Sequence, residues 1–222
     1  GRVKGQADVV LVDNVFYLLL VVDLPEPPQG KVVDFLGVDL GIKNIATDSD
    51  GKAFSGGHLN SLRKRHFKLR QRLQKKGTKS AKRLLKKRRQ KESRFAQDVN
   101  HWISKQLVQR AKGTGRGIAL EDLKGIRERV TVRKSQRRQH HSWAFYQLRR
   151  YIEYKAKLAG VPVVYVNPKY TSQTCSKCGH RDKKNRPTRD DFKCVQCGYV
   201  APADHNAAEN IRRAAVNQPY AG

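Results

Sequence analysis

Residues 32–54 read VVDFLGVDLGIKNIATDSDGKAF, and this stretch decides the fold. Three short β-favouring runs, at 33–39, 45–47 and 52–54, are separated by Gly41-Ile42-Lys43-Asn44 and by Asp48-Ser49-Asp50-Gly51. The second connection, closing on Asp-Gly, is a strong tight-turn signal, so the runs predict three strands paired antiparallel. Downstream, helical stretches alternate with single apolar strands at 118–121 and 161–166, and helices are expected at 142–158 and 203–215. The fold class is therefore α/β, a mixed sheet flanked by helices. Upstream, residues 9–22 (VVLVDNVFYLLLVV) predict a hairpin turning at Asp13-Asn14, and Pro25, Pro27 and Pro28 form a linker. The hairpin is too small to fold alone. With no methionine in the chain, Gly1 is read as a processed or truncated start.

Charge narrows the function. The 222 residues carry 47 Lys+Arg against 19 Asp+Glu, a net charge of +28, with only 38% apolar residues. Such a surplus opposes compaction and calls for a polyanionic partner. Nucleic acid is favoured over an anionic membrane surface as that partner, because the longest apolar run, 15–22, falls far short of the roughly 20 residues a spanning helix needs, and no signal peptide opens the chain. Residues 59–112 are helical by composition, with a break at Gly77-Thr78 that predicts a helical pair, and 61–94 hold 17 Lys/Arg and one acid, Glu92. The candidate contacts are Arg63, Lys64, Arg70, Arg72, Lys82, Arg83, Lys86 and Arg89 on these helices. Lys43 in the first turn, Arg133, Lys134 and Arg137 in a polar basic stretch at 127–141, and Lys177 complete the set. The end of the second helix turns amphipathic, with Phe95, Val99, Trp102, Ile103 and Leu107 at helical spacing, so Trp102, like Trp143 on the later helix, is assigned to the core.

The four cysteines form two pairs, Cys175-x-x-Cys178-Gly179 and Cys194-x-x-Cys197-Gly198, 15 residues apart. Paired knuckles at this spacing close a tetrahedron of thiolates about 2.3 Å from one zinc ion. Four thiolates leave no open coordination position, so the zinc is structural. With no secretory signal, this usage points to a reducing, cytoplasmic compartment.

In so basic a chain, acids in apolar contexts stand out. Asp39 ends the first strand of the deciding stretch, Glu121 ends the strand 118–121, and Asp204 opens the final helix. Singly they read as a turn former, a first-turn acid and an N-cap. Together, three carboxylates at element ends are what two Mg²⁺ ions about 3.5–4 Å apart require for phosphodiester hydrolysis, one activating water and the other stabilising the leaving 3′ oxygen. Asp122 should face away from Glu121 if the strand continues. Gly37 and Gly41 allow either turn geometry or close approach to phosphate. Asn206 and Asn210 either orient Asp204 or pack the helix, and His205 is the one histidine placed to matter.

These motifs carry a family resemblance. Gly37-Val38-Asp39-Leu40-Gly41-Ile42-Lys43-Asn44, Leu120-Glu121-Asp122-Leu123, Thr171-Ser172-Gln173-x-Cys175-x-x-Cys178-Gly179, Phe192-x-Cys194-x-x-Cys197-Gly198 and Asp204-x-Asn206-Ala207-Ala208-x-Asn210-Ile211 resemble the TnpB/OrfB family of transposon-encoded, RNA-guided nucleases, relatives of compact CRISPR effectors. The resemblance implies an RNase H-like, RuvC-type domain over 31–222, with a basic helical insertion at 59–112 and a zinc ribbon at 170–200 inserted before the last helix. It implies that Asp39, Glu121 and Asp204 are the catalytic carboxylates, that the basic helices line a channel for guide RNA and target DNA, and that the protein is prokaryotic and nucleoid-associated when bound to DNA. Residues 1–30 then read as the remnant of an N-terminal, wedge-like β-barrel. Two features depart from the family: the preceding recognition lobe is absent, and Ala203 stands where many relatives have Arg before the third acid. Two functions stay open: a Mg²⁺-dependent RNA-guided DNA endonuclease, or a non-cleaving nucleic-acid-binding remnant.

Overall fold

In a computed structural model of the chain, residues 1–12, 14–88, 90–122 and 145–217 are described. Among them a five-stranded mixed sheet forms the centre. Its strands are β5 (Phe35–Asp39), β6 (Asn44–Asp48), β7 (Ala53–Ser55), β8 (Gly117–Glu121) and β9 (Val163–Val166), in the order β7-β6-β5-β8-β9. The deciding stretch supplies the antiparallel half, β5-β6-β7, as expected. β8 and β9 add parallel to β5, each after a helical crossover. Two antiparallel strand pairs precede the sheet, β1 (Arg2–Val3) with β4 (Val22–Asp23) and β2 (Asp8–Val12) with β3 (Val15–Leu19). The expected hairpin is thus present as β2–β3, with Val22 at its far end in the β1–β4 pair, and its apolar side chains are exposed.

The expected helical pair is three helices: α1 (Gly57–Lys76), α2 (Lys79–Arg88) and α3 (Lys91–Gly113). The break at Gly77 has a local cause. Gly77 adopts φ 64°, the left-handed conformation of a helix cap, and its N–H bonds the Leu73 carbonyl. The second break, between α2 and α3, carries no glycine or proline to announce it.

Strand alternation divides the core. Leu36, Val38, Ile118 and Leu120 face α3 and α4 (Phe145–Ala159), where Ile103, Leu107, Leu148 and Ile152 are buried against them. Phe35 and Ala119 face the other way, toward Ile211 and Ala215 of α5 (Ala203–Val216). Trp102 corrects the sequence reading. It is 55% exposed and makes an edge contact with Phe54 of the sheet, because its position on α3 lies beside the buried stripe. Trp143 lies outside the described residues.

Gly37 determines how closely α5 approaches. A Cβ there would stand 2.1 Å from the Ala208 carbonyl oxygen and 2.6 Å from the Arg212 amide nitrogen. The glycine therefore serves helix-on-sheet packing, which neither sequence reading of it anticipated. Gly41 is a turn position, where a Cβ would stand 2.8 Å from the Asn44 carbonyl.

Candidate active site and four-cysteine cluster

Period-2 alternation places Asp39 on the same face as Phe35 and Gly37, and Glu121 on the same face as Ala119. The parallel register sets Val38 opposite Leu120, so the acids that follow end adjacent strands at one level. α5 crosses this face with Asp204 in its first turn. The three carboxylates line a single cavity of about 330 Å³, together with Lys43, Thr171, Ser172, Arg186, Arg189 and Asp190.

Each acid has a distinct setting. Desolvation, then the charges of Glu121 and Asp204, push Asp39 up to about 8, while Arg186 and the Leu40 amide pull the other way. Burial also raises Glu121, against a hydrogen bond from the Thr171 hydroxyl to its Oε1. Asn44 Nδ2 donates to Asp204 Oδ2 at 2.9 Å. Asp204 is not an N-cap, since Pro202 precedes the helix without a side-chain cap. Asp122 does not share the cavity, and its carboxylate accepts from Arg149 of α4 at 3.2 Å.

Thr171, Asn44 and the pair Arg186 and Arg189 were not assigned these roles from sequence. From sequence, Asn44 reads either as a contact to DNA beside the metals or as a turn residue, and the two arginines as part of a basic loop surface. Only the Thr-Ser-Gln run before Cys175 offered a signal for Thr171.

Lys43 reaches the cavity rim but forms an ion pair with Asp190 across it, 2.6 Å. His205 Nε2 lies 3.1 Å from the Ser49 carbonyl, which ties α5 to the β6–β7 turn. Among the basic candidates, Lys64, Arg72, Lys82, Arg83, Lys86 and Lys177 are exposed. Arg70, also exposed, and Arg63, whose side chain is only 12% exposed, converge on Glu92. These two therefore contribute to packing α1 on α3. Arg89, Arg133, Lys134 and Arg137 lie outside the described residues.

The chain between β9 and α5 brings the cysteines together. All four sulfurs lie within 4.8 Å of one another, with Cys175 and Cys197 3.8 Å apart and Cys178 and Cys194 3.6 Å apart. A tetrahedron of sulfurs about 2.3 Å from a central ion has edges of about 3.8 Å, so the cluster fits a metal such as zinc. Gly179 and Gly198, at φ 78° and 70°, let their N–H groups turn back onto the Cys175 and Cys194 carbonyls. Strands β10 (Asp191–Lys193) and β11 (Val200–Pro202) pair antiparallel beneath the second knuckle and lead directly into α5. Fully buried Asn185 joins the knuckles, donating to the Gln173 and His180 carbonyls and accepting from the Val195 amide.

No helix among the described residues is long and apolar enough to cross a membrane.

Comparison with known proteins gives concordant matches. Residues 19–127 match a family described as "Probable transposase", OrfB of IS605, and residues 145–211 match "Cas12f1-like, TNB domain". A CRISPR-associated endodeoxyribonuclease Cas12f1 of Sulfoacidibacillus thermotolerans is 35% identical over 95% of this chain and 54% of its own, so the chain spans about half the length of that relative. Two cryo-EM structures share the mixed α/β fold. One is a Cas12f1–sgRNA–target DNA complex, with TM-score 0.63, 24% identity, and coverage of 93% of this chain and 55% of the other. The second is a CRISPR-Cas12f ternary complex, with TM-score 0.66, 26% identity, and coverage of 89% and 42%. A TnpB-like protein of Methanocaldococcus jannaschii is 36% identical over 83% of this chain and 72% of its own. Matched along most of both chains at that identity, the chain belongs to the TnpB-like family.

Proposed function

We propose that the chain carries the cutting centre of an RNA-guided DNA endonuclease, an RNase H-like, RuvC-type domain in which Asp39, Glu121 and Asp204 hold two Mg²⁺ ions. The carrying observation is the convergence of three acids from β5, β8 and α5 in one cavity rimmed by arginines. The strand order supports the RNase H-like reading, with three antiparallel strands continued by two parallel ones. Carboxylate oxygens are the hard donors Mg²⁺ prefers, and a divalent cation offsets the burial and the neighbouring acid charges that raise Asp39. When bound, the ions supply activation of water and charge stabilisation at the leaving 3′ oxygen.

The protein's own groups do the rest. Asn44 and Thr171 fix the directions of Asp204 and Glu121. Arg186 and Arg189 stand where the scissile phosphate enters, and Lys43 joins them once a phosphate displaces Asp190 from it. The four thiolates hold one structural zinc. The exposed lysines and arginines of α1 and α2 carry the phosphate backbones of guide RNA and target DNA. The domain division follows: a nuclease domain over 31–222, with helices 59–112 and the ribbon 170–200 inserted in it, and the strand pairs of 1–30 as a wedge-like β element.

Single substitutions of Asp39, Glu121 and Asp204 by Ala test the reading. Each is expected to abolish Mg²⁺-dependent DNA cleavage by the chain with its co-purified RNA and to leave nucleic-acid binding largely intact. Cleavage persisting in all three variants rejects the site. Wild-type protein that binds RNA and DNA but does not cut them with Mg²⁺ favours the non-cleaving alternative.

A further inference from the structure

The first cysteine knuckle is fastened to α5 by two buried asparagines one turn apart. Asn210 Nδ2 donates to the Thr171 carbonyl at 2.9 Å and to the Thr174 carbonyl at 2.7 Å. Asn206 Nδ2 donates to the same Thr174 carbonyl at 2.9 Å, and its Oδ1 accepts the Ser176 amide at 3.0 Å. Asn206 is 1% exposed and Asn210 9%, so these bonds are made away from competing water. The bonded segment, 171–176, contains Cys175, and the helix it hangs from carries Asp204 two residues before Asn206. Thr171 completes the connection: Asn210 holds its carbonyl while its hydroxyl donates to Glu121.

We infer that Thr171, Asn206 and Asn210 are positioning residues through which the four-cysteine cluster sets the geometry of the acid cavity. The inference rests on the reading of that cavity as a divalent-cation site. A closed cluster holds the knuckle rigid, and the knuckle presents the Thr171 hydroxyl to Glu121 and clamps the first turns of α5, where Asp204 sits. An opened cluster releases both constraints at once. Outer partners of metal ligands act in this way, by orienting the ligand and tuning its basicity. The clamp also accounts for the two asparagines, which bond to the ribbon and not to Asp204.

The test measures Mn²⁺ binding by electron paramagnetic resonance on the full chain, with zinc content determined on the same samples. The variants are Thr171→Val, Thr171→Ser and Asn210→Asp, with Asp39→Asn as control. Thr171→Val removes the hydroxyl and nearly preserves shape, and Asn210→Asp replaces a donor to two carbonyls with an acceptor. Both are expected to keep full zinc and to bind Mn²⁺ roughly tenfold or more weakly, the usual range for losing an outer partner. Thr171→Ser is expected to restore wild-type affinity. Mn²⁺ binding that depends on Asp39 yet is equally tight in zinc-replete Thr171→Val and Asn210→Asp overturns the inference alone. Wild-type Mn²⁺ binding that does not depend on Asp39 removes the cation-site reading and the inference with it. Should Asn210→Asp lose zinc or fold poorly, Thr171→Val decides, because the hydroxyl it removes bonds Glu121 and the Pro168 carbonyl and no cysteine.

Discussion

Replacing Asp39 with Asn is expected to stabilise the protein in the absence of added Mg²⁺, by an amount that grows with pH. Burial first, and then the Glu121 and Asp204 charges, raise this carboxyl from its ordinary 3.8 to about 8. An acid whose folded value lies above its unfolded one binds its proton more tightly when folded. Its favourable contribution is therefore complete below about pH 4 and is lost as pH rises toward 8. At about 1.4 kcal/mol per unit, the ceiling is about 4 kcal/mol lost by pH 7 and about 6 kcal/mol above pH 8. Protons shared among neighbouring acids lower the single-residue figure. Between pH 5 and 7 the variant's advantage should therefore widen by about 1–2 kcal/mol, or roughly 2–8 °C in Tm for a chain of this size. Asn keeps the side-chain shape and still accepts the Leu40 amide. The assay is urea unfolding at pH 5, 6, 7 and 8 without added divalent ions, the cysteine-bound metal retained, and then again with Mg²⁺. Mg²⁺ should stabilise the wild type by mass action and the variant far less. An advantage that stays flat from pH 5 to 8, or equal stabilisation of both proteins by Mg²⁺, would refute the reasoning from charge crowding.

Other outcomes follow from the same geometry. Gly37→Ala should cost about 3 kcal/mol or more in urea unfolding, because the added methyl meets backbone of α5 that cannot rotate away; a cost under about 1 kcal/mol would show that α5 sits less tightly on β5. Titrating the thiols with a mercurial should release one zinc per chain, and Cys194→Ser should contain markedly less, as read by a zinc indicator; thiols that titrate without releasing metal would count against the cluster. Changing Lys64, Arg72, Lys82, Arg83 and Lys86 together to Ala should flatten the plot of log affinity for duplex DNA against log salt by roughly 2–4 units, since each lost phosphate contact removes about 0.9. An unchanged slope would place the binding surface elsewhere.

Much of this protein is written locally. The turn residues of 41–51 fix β5, β6 and β7, because glycine and aspartate at those points favour reversal whatever lies around them. The two Cys-x-x-Cys-Gly knuckles encode their own metal geometry in a handful of residues, and the three acids could be singled out because apolar context and scarcity mark them. What the sequence could not show depends on partners distant in the chain. Asn44 meets Asp204 across 160 positions, and Thr171 meets Glu121 across 50. Lys43, Arg63 and Arg70 looked like free cations, but are drawn into ion pairs with Asp190 and Glu92. Trp102 fitted a helical stripe but lies at its margin and stays 55% exposed. Periodicity and spacing decide which face of its own element a residue occupies, but not that three acids from different elements meet. Only the register of β5 with β8, and the close crossing of α5 that Gly37 permits, decide that they share a cavity, because those distances are set by packing between segments far apart in sequence.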